Sequence, residues 1–167
     1  SASVRRCVWQ RGVLGRWLGV WAMQKHGCKQ FIFSSTAATY GDPVSMPMTE
    51  QHPQQPINPY GWSKRMLEQI ISDCAHPWGL RAVFLRYFNA SGCAPDAAIG
   101  VDHEPETHLI PLVLMAVSGV RENITVFGEN YPTPDGTCIR DYVHVCDLVD
   151  AHVLGLKWLS DGKESRV

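Results

Sequence analysis

The stretch that decides the fold is FIFSS, residues 31–35. It is a short apolar segment that ends in serines and has polar neighbours, which is typical of a buried strand in a parallel sheet. A second segment of the same kind, LRAVFLRYF, occupies residues 80–88. Because helical patterns alternate with these strands, the sequence predicts an α/β fold in which helices flank both faces of a parallel sheet.

Two helices are predicted around the first strand. Bulky residues recur at three- and four-residue intervals over 13–23, and Gly27 stands where a C-terminal cap belongs. These bulky residues are Leu14, Trp17, Leu18, Trp21 and Ala22, and we expect the tryptophans at 9, 17 and 21 in the core. Asn58 is a good N-cap and Pro59 suits the first helical position, so a second helix is predicted to continue over 63–74. Its expected buried residues are Met66, Leu67, Ile70 and Ile71.

The rest of the chain is predicted to alternate in the same way. Helices are expected over 107–120, where Pro111 is tolerable only in the first turn, and over 147–159. Extended segments are expected at 124–128 and 139–145, and loops at 40–47, 51–59, 89–106 and 129–136.

The composition is that of a globular protein, with 45% hydrophobic residues, 19% charged residues and a net charge of −1. This charge gives no reason to expect binding to nucleic acid or to a membrane surface. No segment approaches the roughly 18 apolar residues that a membrane-spanning helix needs. The six cysteines, at 7, 28, 74, 93, 138 and 146, form no C-x-x-C motif, which favours reduced thiols and a cytoplasmic location.

Seven histidines raise the question of a metal site. His103 and His108 fall in a loop and at a helix start, while His144 and His152 lack cysteine or carboxylate partners at ligand spacing. We therefore expect no metal site.

Polar side chains follow both strands, and a tyrosine and a lysine lie on the helix between them. Tyr60 and Lys64 are four residues apart and share one helix face, so both can reach the same ligand. A free tyrosine has a pKa of about 10, and a nearby cation such as Lys64 lowers the pKa by favouring the phenolate. The Thr36 hydroxyl, just after the first strand, could orient the same substrate oxygen. The pattern predicts a proton-transfer site.

Five stretches resemble one known family. They are FIFSSTAATYGDP (31–43), NPYGWSKRMLEQI (58–70), LRYFNASG (85–92), ETHLIPLVL (106–114) and VFGENYPTPDGTCIRDYVHVCDL (126–148). Together they resemble the extended branch of the short-chain dehydrogenase/reductase superfamily, and within it the UDP-glucose (UDP-galactose) 4-epimerases. The resemblance covers roughly residues 22–165.

The resemblance implies a Rossmann-like fold, NAD as cofactor, a UDP-sugar as substrate and reversible epimerisation at C4 through a 4-keto sugar. Tyr60 would be the acid/base, Lys64 would bind the nicotinamide ribose and tune Tyr60, and Thr36 would lie beside the sugar hydroxyl. The implied cofactor-binding residues are Thr36, Tyr60, Lys64 and Phe88, and the implied substrate-binding residues are Thr36, Tyr60, Asn89, His108 and Arg140. The helix that carries Tyr60 often forms dimer contacts in this superfamily, which implies a homodimer.

The chain also departs from the family, whose members are roughly twice as long and begin with a Gly-rich turn that holds the dinucleotide. The segment GVLGRWLG, with Gly12, Gly15 and Gly19, lacks the G-x-x-G-x-x-G spacing. We expect residues 1–21 to be an atypical segment, and 22–167 to be a partial domain, incomplete at both ends, without the Gly-rich loop and most of the substrate domain. We therefore expect weak NAD binding and little activity.

Three alternatives remain beside the UDP-hexose 4-epimerase. A 4,6-dehydratase is disfavoured because Ala37 and Ala38 stand where such enzymes carry an acid pair. A 4-epimerase for pentoses or N-acetylhexosamines stays open. So does a non-catalytic, truncated fragment of such an enzyme.

Overall fold

The computed structural model describes residues 13–167, so Cys7, Trp9 and Gly12 lie outside the described residues. The elements follow the order α1 (Gly15–Lys25), β1 (Gln30–Ser34), a 3₁₀ turn (Ala37–Thr39), α2 (Pro59–Asp73), α3 (Ala75–Trp78), β2 (Arg81–Leu85), β3 (Asn89–Ser91), α4 (Leu109–Val117), β4 (Tyr142–His144) and α5 (Val145–Ser160). The chain divides into two compact units. The first unit contains the residues up to Phe88 together with Leu148–Val167, and the second contains residues 89–147.

The sheet of the first unit is parallel, as predicted. Strands β1 and β2 pair in a register that sets Phe33 opposite Phe84. Arg166 extends the sheet on the other side of β2, where it forms a parallel bridge with Val83. The Arg166 amide donates to Ala82 O and its carbonyl accepts from Phe84 N, both at 2.9 Å. The α/β fold class is confirmed in this unit.

Helices cover both faces of this sheet. On one face Phe33 and Phe84 pack with Leu67 and Ile71 of α2 in a buried cluster. On the other face Gly155 of α5 lies so close that an added Cβ would be 3.3 Å from the side chains of Ile32 and Val83. Each fully buried aliphatic side chain contributes roughly 1.5–3 kcal/mol to this core. The result is a Rossmann-like layer order of helix, sheet and helix.

Helix α1 is confirmed, but the side that it buries differs from the expectation. Val20 is its buried residue, and Met23 packs at the edge of the same core cluster. Trp17 and Trp21 are 45% and 52% exposed, so the expectation that they lie in the core was wrong. The helical period identifies a helix, yet it does not say which side of that helix meets the sheet.

Helix α2 begins as predicted. The Asn58 side chain accepts a hydrogen bond of 2.8 Å from the Gly61 amide, and Pro59 is the first helical residue. The expected buried side was partly wrong, because Met66 is 42% exposed. The buried stripe of α2 consists of Lys64, Leu67, Glu68 and Ile71. Two charged residues occupy core-facing positions, and a pattern based on apolar residues therefore assigns the wrong face.

The second unit has its own parallel pair, with Asn89 of β3 opposite Tyr142 of β4. Helix α4 is confirmed, and Pro111 lies in its first turn. Three predictions were wrong: residues 86–88 are not part of β2, residues 89–91 form a strand where a loop was expected, and 124–128 form no strand. Phe127, within this last segment, is 94% exposed, and no described residue pairs with it in a sheet.

Within residues 13–167, every helix is too short or too polar to cross a lipid bilayer.

Candidate active site

The first unit brings Tyr60 and Lys64 together at the start of α2. The Lys64 ammonium donates a hydrogen bond of 2.6 Å to the main-chain carbonyl of Ser34, at the carboxyl end of β1. Its nitrogen lies 5.7 Å from the centre of the Tyr60 ring and 5.0 Å from that of Phe33. Lys64 is 7% exposed and Tyr60 is 47% exposed. A buried cation therefore stands beside an accessible phenol.

Ser34 forms hydrogen bonds with residues on both faces of the sheet. His152 of α5 donates from Nδ1 to the Leu148 carbonyl at 2.7 Å, because a carbonyl can only accept. In the neutral ring Nε2 is then the acceptor, and it receives the Ser34 hydroxyl at 2.8 Å. The Ser34 side chain thus contacts α5, while its carbonyl receives the Lys64 ammonium.

Thr36 lies in the turn that follows β1. Its side chain accepts from the Ala38 amide at 3.2 Å, and its carbonyl accepts from the Thr39 hydroxyl at 3.0 Å. Burial raises the pKa of Tyr60, and the Thr36 side chain opposes this rise. The structure therefore brings together all three residues that the sequence nominated for catalysis.

The pKa of Tyr60 is raised above its ordinary value, chiefly because the phenol is partly buried. The Thr36 side chain and the positive charge of Arg16 oppose this rise, whereas Tyr87 adds to it. The tuning of Tyr60 by Lys64 stays a prediction.

The pKa of Lys64 is lowered to about 8, first by burial and then by the positive charge of Arg16, while Glu68 acts in the opposite direction. Arg16 of α1 thus influences both members of the pair. Sequence reasoning missed it, because residues 1–21 do not resemble the family text and Arg16 belongs to no motif.

A buried polar network lies directly behind the pair. Glu68 is 5% exposed and receives the Arg86 guanidinium in a bidentate ion pair, with Nη2 to Oε2 at 2.6 Å and Nε to both oxygens at 3.1 Å. The Ser35 hydroxyl and the Gln54 amide also donate to this carboxylate. Arg86 further donates to the Tyr40 hydroxyl at 3.2 Å. The network ties α2 to the ends of both strands. The sequence signal for it, a glutamate one turn after Lys64, went unnoticed.

Gly61 sets how closely α2 approaches the turn that carries Thr36. A Cβ at this position would collide with the Ala38 carbonyl oxygen and would lie 3.1 Å from Pro56 Cβ. The glycine beside Tyr60 is therefore a requirement of close packing.

Phe88 is the remaining predicted residue in this unit. It is 43% exposed and follows Tyr87, whose carbonyl accepts from the Ala37 amide at 3.0 Å. This bond holds the segment after β2 against the turn after β1.

The second unit contains a cavity of about 630 Å³, and Asn89, His108 and Arg140 all line it. The Asn89 side chain is oriented by a hydrogen bond of 2.8 Å to the Asp141 carbonyl. Leu109, Ile110 and Leu114 of α4 supply apolar lining. The structure thus gathers three of the five residues nominated for substrate binding, although they are far apart in sequence.

The loop before Arg140 is held by its own hydrogen bonds. The Asp135 carboxylate accepts from the amide and hydroxyl of Thr137 at 3.0 and 2.9 Å, and these bonds lower the pKa of Asp135. The Tyr131 amide donates to the Gly136 carbonyl at 3.0 Å. Arg140 itself is exposed, and it donates to the neighbouring Ile139 carbonyl at 3.0 Å.

A Rossmann-like unit with a tyrosine–lysine pair beside β1 defines a class of nucleotide-dependent enzymes. The sequence profile of the NAD dependent epimerase/dehydratase family matches residues 6–167, and the chain belongs to this family. The division of the sequence at residue 22 stays a prediction.

The chain is similar to several UDP-glucose 4-epimerases. It is 54% identical to that of Streptococcus mutans over 143 residues, which is 86% of this chain and 43% of the relative. It is 51% identical to that of Lacticaseibacillus casei over 144 residues, which is 86% of this chain and 44% of the relative. The crystal structure of UDP-glucose 4-epimerase from Brucella ovis in complex with NAD matches with a TM-score of 0.90 and 46% identity, over 95% of this chain and 49% of that chain. The chain therefore spans less than half the length of these relatives.

Proposed function

We propose that this chain carries the proton-transfer centre and the nucleotide cavity of an NAD-dependent UDP-glucose (UDP-galactose) 4-epimerase. The observation that carries the proposal is the accessible Tyr60 phenol beside the buried Lys64 ammonium, with Thr36 in the turn that follows β1. The similarity to UDP-glucose 4-epimerases supports the choice of reaction.

Tyr60 is the acid/base in this proposal. The phenolate takes the proton of the sugar 4-hydroxyl, and the resulting phenol returns a proton to the same oxygen after the 4-keto sugar has turned over. Because burial raises the pKa of Tyr60, a proton donor is available at neutral pH, and the phenolate requires stabilisation by cations and by Thr36. Thr36 lies beside the sugar oxygen and orients it.

The residues of the first unit fit a nicotinamide ribose. An ammonium has three donors, and Lys64 uses one of them on the Ser34 carbonyl, so two others are available for neighbouring ribose hydroxyls. The Phe88 ring offers apolar contact and Thr36 a further polar one. When bound, NAD supplies the hydride acceptor and donor, which no protein side chain can replace.

The cavity of the second unit fits a uridine diphosphate in size and chemistry. Ligand pockets commonly measure about 300–1,000 Å³, and this one has about 630 Å³. The Arg140 guanidinium suits phosphate oxygens because it can donate two parallel hydrogen bonds. Asn89 and His108 add polar groups, and Leu109 adds apolar surface for the base.

The proposal extends to assembly and location. Trp62 and Met66, one turn apart on α2, are each 42% exposed, and such an apolar strip suits the α2 contact of a homodimer. The five described cysteines are free thiols, which suits a cytoplasmic protein that binds a UDP-sugar and no nucleic acid.

The binding half of the proposal is tested by calorimetric titration of the 167-residue chain with UDP. We expect Arg140→Ala to weaken UDP binding roughly 10- to 100-fold, the loss expected for a charge-assisted hydrogen bond. Arg121→Ala is the matched control, because Arg121 is exposed in the same unit and does not line the cavity. Equal UDP affinity of both variants would refute the cavity assignment.

The chemical half is tested by an epimerase assay with UDP-galactose and added NAD. Tyr60→Phe should lower the rate by at least about 100-fold, because it removes the group that moves the proton. Where the parent chain turns over UDP-galactose at a measurable rate, an equal rate for Tyr60→Phe would refute the role of Tyr60.

A further inference from the structure

Three side chains meet in the loop that leads into α4, and one of them, His108, also lines the cavity proposed for the nucleotide. His103 Nδ1 lies 3.8 Å from Glu106 Oε1, and His108 Nδ1 lies 2.7 Å from the same oxygen. The two imidazole rings are 5.0 Å apart between their centres. One ligand atom from each residue can be chosen so that all three lie within 4.8 Å of one another.

This spacing suits one small cation. Zinc binds imidazole nitrogen and carboxylate oxygen at about 2.0–2.2 Å, so neighbouring ligand atoms around a tetrahedral ion are roughly 3.3 Å apart. The two measured separations, 2.7 and 3.8 Å, lie on either side of that value.

Hydrogen bonds hold the Glu106 carboxylate in one orientation before any ion binds. Its Oε1 accepts from the amides of Thr107 at 2.6 Å and His108 at 2.7 Å, and these contacts lower the pKa of the carboxyl. Within residues 13–167 all hydrogen bonds to this carboxylate reach Oε1, so Oε2 has coordination capacity left. The imidazoles of His103 and His108 are 49% and 63% exposed, so an ion can reach them from solvent.

We propose that His103, Glu106 and His108 form a binding site for a divalent first-row transition metal ion such as Zn²⁺ or Co²⁺. Two imidazoles and one carboxylate suit these ions, whereas Mg²⁺ and Ca²⁺ require mainly oxygen ligands. Water completes the coordination, because only three protein ligands are supplied.

The histidines, assessed without Glu106, gave no reason to expect a metal site. The sequence signal for a metal site was the spacing H-x-x-E-x-H over residues 103–108. This spacing indicates a site only when the loop folds back and brings the three side chains together. The proposal does not depend on the epimerase function, since its test uses the metal ion alone.

The experiment is a Co²⁺ titration of the 167-residue chain, followed by visible absorption and then by competition with Zn²⁺. We expect one equivalent of Co²⁺ to give the weak visible bands of nitrogen and oxygen ligation, and Zn²⁺ to abolish them. His103→Ala should weaken binding at least tenfold, and Glu106→Gln should also weaken it while it keeps the oxygen that receives the two amides. His76→Ala is the matched control, because His76 is an exposed histidine of the first unit.

His103→Ala keeps the proposal testable even if Glu106→Gln disturbs the start of α4. His103 lies before that helix, and its recorded polar contact is the one with Glu106, so we expect the variant to remain folded. Equal Co²⁺ affinity of the parent chain and His103→Ala would overturn the proposal. So would an intense near-ultraviolet band, because it would show that cysteine thiolates bind the ion.

Discussion

The two units hold their candidate functional residues in different ways. In the first unit Lys64 and Glu68 are 7% and 5% exposed, and each has a hydrogen-bond partner, the Ser34 carbonyl for Lys64 and the Arg86 guanidinium for Glu68. In the second unit Arg140 is exposed, and the hydrogen bonds recorded for Arg140 and Asn89 reach backbone carbonyls. A buried charge needs a fixed partner, whereas a side chain that grips a ligand must remain available to it. The difference matches the two tasks that we propose, proton transfer and nucleotide binding.

Removal of the Glu68 carboxylate should have the largest effect. Glu68→Ala leaves the Arg86 guanidinium buried without its partner, which costs about 3–5 kcal/mol in the free energy of unfolding. Urea denaturation measures this loss. Asp161→Ala is the matched control, because the Asp161–Lys163 pair is exposed and 3.9 Å long, and we expect a change within about 0.5 kcal/mol. Similar losses in both variants would show that the network does not stabilise the first unit.

A methyl group at Gly61 should have the next largest effect. Gly61→Ala forces the start of α2 away from the Ala38 carbonyl and should cost about 1–3 kcal/mol in the free energy of unfolding. The control is Gly19→Ala in α1, where an added Cβ meets nothing within 4 Å, and helix propensity predicts a gain of up to about 1 kcal/mol. Thermal denaturation compares the two. A gain in both variants would mean that the close approach at Gly61 is not needed.

The buried ammonium should give the first unit a distinctive pH dependence. The folded pKa of Lys64, about 8, lies below the ordinary lysine value, so between the two values the unfolded chain binds more protons. The free energy of unfolding should therefore rise as the pH increases from about 8 towards 9.5, relative to Lys64→Met. Denaturant unfolding at several pH values measures the difference. Parallel curves for the two chains would refute the shift.

The smallest effect is expected in the loop before Arg140. The pKa of Asp135 is lowered by the groups of Thr137, so its contribution is present above the ordinary carboxyl pKa and is lost as the pH falls through the folded value. Asp135→Asn should speed hydrogen exchange of the Thr137 amide several-fold. Asp102→Asn, at an exposed position of the same unit, should leave that amide unchanged. If the Thr137 amide exchanges equally fast in both variants, Asp135 does not order the loop.

Local signals allowed the first unit to be predicted well. The apolar strand at 31–35 and the cap formed by Asn58 and Pro59 are encoded within a few residues, and both are confirmed. The face of α2 was misassigned because Lys64 and Glu68 occupy buried positions that apolar patterns ignore.

In the second unit, prediction from the sequence was limited because the structure depends on long-range contacts. The cavity depends on the pairing of Asn89 with Tyr142, and no local pattern predicts a contact across more than fifty residues. The apolar segment 124–128 has the composition of a strand, but a strand needs a partner, and none of the described residues pairs with it. Physical reasoning from the sequence drew attention to Asn89, which follows the second predicted strand, whereas His108 and Arg140 were nominated by resemblance to a family alone.

Ser34 connects the two faces of the sheet through its own hydrogen bonds. Its carbonyl receives the Lys64 ammonium from one helix layer, and its hydroxyl reaches His152 in the opposite layer. Substitution of His152 therefore removes a hydrogen bond from the residue whose carbonyl receives the ammonium. Helix α5 carries none of the nominated residues, but His152 and Ser34 connect it to the proposed proton-transfer centre.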